Sequence, residues 1–166
     1  MSTPVTATIL PYRDEYAPDF DRLNREWLTR YFSVEPLDEE YLLHPREKIV
    51  APGGEIFVAV LDGEVVGTCA ALPPENGSIE LAKLAVAPKA QGRGLGRLLV
   101  ERVIGFARER GVRRIVLWSA SRLGPALRLY ETLGFRRAPF PFPAPYDDPA
   151  VDVYMTLELA EVPGPA

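Results

Sequence analysis

LAVAPKAQGRGLGR, residues Leu84–Arg97, runs from a strand into a helix, and the reading of the whole chain turns on it. Leu84, Ala85 and Val86 close an apolar run of strand character, and Pro88 stops it. Gly92, Gly94 and Gly96 then remove every other side chain just where a helix begins. The unpaired N–H groups of a first helical turn, at the positive end of the helix dipole, form a site for an anion. Glycines let a phosphate approach the backbone closely, and Arg93 and Arg97 add charge beside it. Nucleotide hydrolysis is excluded: a Walker loop ends Gly-Lys-Ser/Thr, and here Gly96 is followed by Arg97 and Leu98. A dinucleotide fingerprint is excluded as well, because Gly111–Trp118 carries no acidic residue at the end of the next strand. Taken alone, the glycine triplet also suits a helix start that is small only for close packing.

Downstream, Arg93–Arg110 reads as an amphipathic helix with Leu95, Leu99, Val103, Phe106 and Ala107 on one stripe, closed by Gly111. Arg114–Trp118 is a short apolar strand, and a right-handed crossover makes it parallel to the strand ending at Val86. Pro125 suits the first turn of a further helix, Pro125–Leu133, ended by Gly134. Upstream, Asp62-Gly63 joins Ile56–Leu61 and Val65–Ala71 as a hairpin, and the turn Pro73–Gly77 leads into a central strand, Ser78–Val86. Val5–Leu10 reads as a first strand and Asp14 to Phe32 as a helix, with Pro18 in its first turn. Phe20, Leu23, Trp27 and Tyr31 recur there at helical spacing, the pattern of a core face. A second helix, about Asp38–Leu43, ends near His44, which precedes a proline and is read as a cap or surface residue. Ala138–Pro149 holds 5 of the 17 prolines, interleaved with Phe140, Phe142 and Tyr146. It is a stiff connector between a strand at Phe135 and a final strand, Val151–Leu159. The tail Val162–Ala166 reads as loose.

At 166 residues the chain suits a single domain over 1–166, with its core about 8–159. A net charge of −4 argues against nucleic-acid binding. Residues 1–80 carry 6 basic and 15 acidic side chains, whereas residues 81–166, which hold the glycine loop, carry 13 and 8. That asymmetry suits either a cationic acceptor or merely a solvated surface. The apolar runs are too short to span a membrane, and no signal peptide is evident. One cysteine, Cys69, rules out an internal disulfide and is consistent with a cytoplasmic protein. Cys69 sits inside a strand with no base nearby in sequence and reads as a small buried hydrophobe.

Glu80 is the anomalous residue of the central strand. Simple alternation puts it on one face with Ala82, Leu84 and Val86, apolar company that would raise its pKa toward the range of a general base. The same residue also fits the wet mouth of the strand. Tyr130 shares a helix face with Ala126, Leu129 and Leu133, and so could serve the core or could present a phenol as proton donor. No metal-ligand cluster is evident.

Gln91-x-x-Gly94-x-Gly96, set after a Leu-Ala-Val strand end and followed by Ala126-Leu-Arg-Leu-Tyr130-Glu-Thr-Leu-Gly-Phe135, resembles the GNAT N-acetyltransferases. The resemblance runs from roughly Thr8 to Leu159 in order and spacing. It implies an α+β fold with a mixed, mostly antiparallel sheet of about 6–7 strands, a splayed parallel pair and about 4 flanking helices. It implies acetyl-coenzyme A as cosubstrate, with Gln91, Gly92, Arg93, Gly94, Leu95, Gly96 and Arg97 around its pyrophosphate. The pantetheine arm would bond to the backbone of Leu84, Ala85 and Val86. Glu80 falls where histone-acetylating members keep a catalytic glutamate, although many members relay the proton through water instead. Tyr130 matches the tyrosine that protonates the departing thiolate. Leu123 departs from the family's frequent asparagine, leaving Ser119 or Ser121 to supply that polar contact. Trp27, Tyr31, Glu35 and Tyr41 fall in the helices that wall the acceptor site, and Tyr146 lies in a loop that covers the acceptor or meets a second copy in a homodimer.

The expectation is therefore an acetyl-coenzyme A-dependent N-acetyltransferase acting on a primary amine of a small molecule or peptide. A non-catalytic acyl-coenzyme A sensor, or an interaction module docking through its aromatic loop, fits the glycine loop equally well.

Overall fold

A computed structural model describes residues 7–159. Its elements are β1 (Thr8–Pro11), α1 (Ala17–Tyr31), α2 (Pro36–Leu43), β2 (Glu55–Leu61), β3 (Glu64–Ala71), β4 (Ser78–Val86), α3 (Leu95–Glu109), β5 (Arg114–Ser119), α4 (Gly124–Thr132), β6 (Arg136–Arg137) and β7 (Val153–Glu158). Val5, Thr6 and the tail from Val162 onward lie outside the described residues. Among the described residues seven strands form one sheet in the order β1-β2-β3-β4-β5-β7-β6, and only the β4–β5 pair is parallel. Asp62 (φ +52°) and Gly63 (φ +75°) make the left-handed two-residue turn that the β2–β3 hairpin requires. A π-helical turn, Arg46–Val50, follows His44 and was not foreseen, because Pro45 reads as a stop.

Helices cover both faces of the sheet. On one, α3 buries Leu99, Val100, Val103 and Ala107 against β3 and β4. Gly67 permits this close approach: a Cβ there would lie 3.1 Å from the Leu99 side chain. On the other, α1 buries Phe20, Leu23 and Asn24. Asn24 Nδ2 donates to the Phe20 carbonyl (2.9 Å) and to Thr68 Oγ1 of β3 (3.0 Å), so its buried amide is satisfied.

The middle of β4 determines where the site lies. Its ladder with β5 covers only Ser78–Glu80 opposite Arg114–Val116, after which β5 pairs with β7 alone. From Leu81 on, the edge of β4 that faced β5 has no strand partner among the described residues. On its other edge Ala70 faces Ala82 and Thr68 faces Ala85, so Lys83 and Leu84 stand opposite the single residue Cys69. This is a β-bulge, with Lys83 at φ +56°, and Thr68 Oγ1 donating to the Lys83 carbonyl (3.0 Å) holds it. The bulge corrects the alternation read from the sequence. Directly opposed residues share a face, so Glu80 and Ala82 group with Ala85 rather than with Leu84 and Val86.

Lys83 forms a buried ion pair with Asp38 of α2, the two side chains being 6% and 3% exposed. Asp38 Oδ2 also accepts the Glu35 N–H (2.9 Å) at the start of α2. Asp38→Ala would strand a buried ammonium, and it is expected to cost about 3–5 kcal/mol in urea unfolding. Combining it with Lys83→Met should recover most of that loss; two additive losses would show that the pair is not coupled.

Candidate active site

Where β4 and β5 part, the sheet opens into a cleft of about 530 Å³. Trp27, Tyr31 and Phe32 from α1 and its end, Leu129 and Tyr130 of α4, and Glu80, Leu84 and Val86 of β4 line it. Gln91, Gly92 and Gly96 stand at one end, and Trp118 and Tyr146 at the side of β5. Trp27 and Tyr31 pack together with ring centroids 4.5 Å apart. Their helical spacing reads as core, yet the widening gap below leaves them bordering open space.

Glu80 is partly exposed to this cleft but surrounded by protein, and burial pushes its pKa up to about 7. Two features oppose the shift: Tyr146 Oη donates to Glu80 Oε2 (2.6 Å), and the Lys83 ammonium lies nearby. The Asp38 carboxylate adds to it. A carboxyl balanced near neutrality and open to a cleft can take a proton from an amine.

Tyr130 is buried along its ring and packs edge-on against Phe135 (5.7 Å). The residue also lines the cleft. Burial raises its pKa, so the phenol stays protonated and faces the cleft as a donor. Cys69 is fully buried, its thiol pushed up by desolvation and its Sγ 3.9 Å from the Ala82 carbonyl. It is a packing residue opposite the bulge.

At the other end, Gly92 (φ +80°) and Gly94 (φ +77°) adopt left-handed conformations, and Gly94 is the N-cap of α3. A Cβ at either position would meet nothing within 4 Å. The cradle in front of the helix is open, so these glycines answer to backbone conformation and access rather than to packing. Gly96 differs, with Leu129 3.5 Å from its would-be Cβ. Gln91 Nε2 donates to the Val86 carbonyl (3.1 Å), tying the loop to the free end of β4.

Residues 20–135 match the family described as Acetyltransferase (GNAT) family. This chain belongs to the GNAT acetyltransferase family. It is similar to an uncharacterised N-acetyltransferase of Schizosaccharomyces pombe, at 32% identity over 86% of this chain and 88% of that one. It is also similar to the N-acetylaspartate synthetase of Rattus norvegicus, at 36% identity over 74% of this chain, but spans only 38% of that protein's length. Among solved structures, a GNAT acetyltransferase from Staphylococcus aureus superposes with a TM-score of 0.82 at 20% identity, covering 93% of this chain and all of that one (100%). A putative acetyltransferase from Salmonella typhimurium, solved with acetyl-CoA, gives 0.74 at 24% identity over 97% and 98% of the two chains.

The GNAT fold does not bring every residue implied by that resemblance to the cleft. Glu80, Tyr130, Leu84, Val86, Gln91, Gly92, Gly96, Trp27, Tyr31 and Tyr146 line it. Ala85 is buried opposite Thr68, and Leu95 is buried in the core. Arg93 and Gly94 are exposed on the loop, and Arg97 is paired with Glu101 (2.9 Å). Glu35 is outside the cleft lining and accepts the Asp147 N–H (2.8 Å), fastening the proline-rich loop to α2. Tyr41 is likewise outside it, 5.9 Å from the Lys83 ammonium. Ser119 lines the cleft, whereas Ser121 is taken up by Asp152 through its N–H and hydroxyl (2.7 Å each). Phe32, Trp118 and Arg122 line the cleft unforeseen. Trp118 was findable, as the bulky residue ending the strand beside the gap; Arg122 carries no sequence signal. Among the described residues no group of three His, Cys, Asp or Glu is placed to hold a metal, and no helix is long and apolar enough to cross a membrane.

Proposed function

We propose that this chain transfers an acetyl group from acetyl-coenzyme A to a primary amine by direct attack. The observation that carries it is one cleft with a helix N-terminus and open glycine cradle at one end, an unpaired strand edge along it, and Glu80 and Tyr130 both facing it. The residues fit the cosubstrate: loop N–H groups at α3 suit a pyrophosphate, and the edge of β4 beyond Glu80 suits an amide-bearing arm. Acetyl-coenzyme A supplies the activated acetyl thioester.

The chain's own residues do the rest. Glu80 takes the proton of the incoming ammonium, directly or through one water, and so frees the nucleophile. A backbone N–H of the β4 edge near Val86 stabilises the developing oxyanion. The freed amine adds to the thioester carbonyl. As the adduct collapses the carbon–sulfur bond breaks, Tyr130 donates to the departing sulfur, and the second proton lost from nitrogen passes to solvent, which reprotonates Tyr130. The aromatic wall of Trp27, Tyr31, Phe32 and Tyr146 would receive the acceptor. The presence of a base and a donor favours an enzyme over a sensor. A single buried thiol suits a reducing compartment such as the cytoplasm.

Thiol release across a panel of amines, amino acids and peptides tests the reaction, and no release with any of them would reject it. Tyr130→Phe isolates the donor. Because phenylalanine keeps the ring and its packing on Phe135, melting should barely change while turnover falls about ten- to a thousandfold. Undiminished turnover would transfer the role to another donor.

A further inference from the structure

We infer that Tyr146 is a positioning residue for Glu80, and that the β6–β7 loop thereby completes the base. The inference rests on the reading of Glu80 as the base. Among the described residues the Tyr146 hydroxyl is the carboxylate's one hydrogen-bond partner, and it comes from a residue 66 positions away. The loop that carries it is held from two sides. Ser33 N–H and Oγ donate to Asp148 Oδ2 (2.8 and 3.0 Å), and Asp147 N–H donates to Glu35 Oε1 (2.8 Å), both joining it to the α1–α2 connection. On the other side Trp118 of β5 stacks edge-on with Phe140 (5.0 Å) and Tyr146 (6.2 Å).

The chemistry of the contact is one-directional. Burial, then the neighbouring Glu80 charge, raises the Tyr146 pKa well above the usual phenol value, so this oxygen donates and does not ionise. A donated hydrogen bond favours the carboxylate over the carboxylic acid. With Oε2 held, Oε1 is left for the amine. The other groups facing Glu80 are Lys83 on its own strand, Asp38 and Tyr41 of α2, and Tyr154 of β7. Lys83 and Asp38 act in opposite senses and are paired with each other, while the two tyrosines are neutral. The contact that fixes both orientation and charge is therefore the one from the loop.

Tyr146→Phe keeps the ring, its packing on Trp118 and the desolvation of Glu80, and removes only the donor. Two readings follow from it: turnover against pH, with an amine found active in the thiol-release panel, and the ¹³C titration of the Glu80 carboxyl, assigned by its absence from Glu80→Gln. The expected result is a carboxyl titration displaced upward by about one pH unit, the size of one charge-assisted hydrogen bond. The rising limb of the rate should move with it, about tenfold slower near pH 6 and within about threefold of wild type near pH 9. An unmoved carboxyl titration overturns the inference, as does a loss of rate that is equal at every pH. A displaced carboxyl titration with an unmoved rate profile supports the contact but rejects Glu80 as the base.

Discussion

Gly94→Glu is expected to abolish coenzyme A binding while leaving the fold intact. Gly94 caps α3 at φ +77°, and a side chain there would project into open space in front of the helix N-terminus. A carboxylate so placed would lie over the N–H groups that an incoming phosphate needs, and would repel that phosphate as well. Losing two charge-assisted hydrogen bonds alone costs about 3 kcal/mol or more, which is over a hundredfold in affinity. The left-handed backbone adds about 1–2 kcal/mol of strain to any side chain at this position. Gly94→Ala carries the strain without the charge, so it should melt like the glutamate variant yet bind within about tenfold of wild type. Calorimetric titration with coenzyme A separates the two. Equal affinity in wild type and Gly94→Glu would remove Gln91–Arg97 as the phosphate site.

The halves of the cleft differ in how far the sequence reveals them. The end proposed for the phosphates is local: a strand end, a proline, alternate glycines and an amphipathic helix follow one another within Leu84–Glu109, and each has a backbone reason. The β2–β3 turn is legible for the same reason, since Asp62-Gly63 tolerates the conformation it must adopt. The end proposed for the acceptor is not local. Tyr146 reaches Glu80, and Asp38 reaches Lys83, only because the bulge and the splay bring distant segments together. The bulge itself is hidden: a lysine at φ +56° looks like any strand residue, whereas a glycine would have marked it. Alternation therefore carried Glu80's face two residues too far along β4. Trp27 and Tyr31 show the opposite ambiguity, because helical spacing identifies a buried stripe but not whether it ends at packed side chains or at a cavity. Glu35 illustrates a third case. It lies beside the cleft in sequence terms, yet it is spent on a loop N–H.

Glu80→Gln is expected to lower turnover at neutral pH by about a hundredfold or more. Glutamine keeps the shape and can still accept the Tyr146 hydroxyl hydrogen bond, but it cannot take a proton. Burial places the wild-type carboxyl near pH 7, so the ionised base accumulates as pH rises, and the wild-type rate should climb through about 7 and then level. The variant lacks that limb. Its rate should rise only as the amine itself becomes neutral, so the deficit narrows at high pH. Coenzyme A affinity should hardly change, because Glu80 lies in the paired half of β4, whereas Gln91 is tied to Val86 at the strand's far end. Stability provides a check independent of turnover. A carboxyl whose pKa is higher folded than unfolded contributes stability that is complete below the ordinary glutamate range and is lost as pH rises through about 7. The variant has no such dependence, so its melting temperature should gain on wild type between about pH 5 and pH 8. If the melting comparison behaves so but the rates coincide at every pH, Glu80 is a buried carboxyl without a catalytic part. Proton removal would then fall to water held against Tyr146, which also lines the cleft.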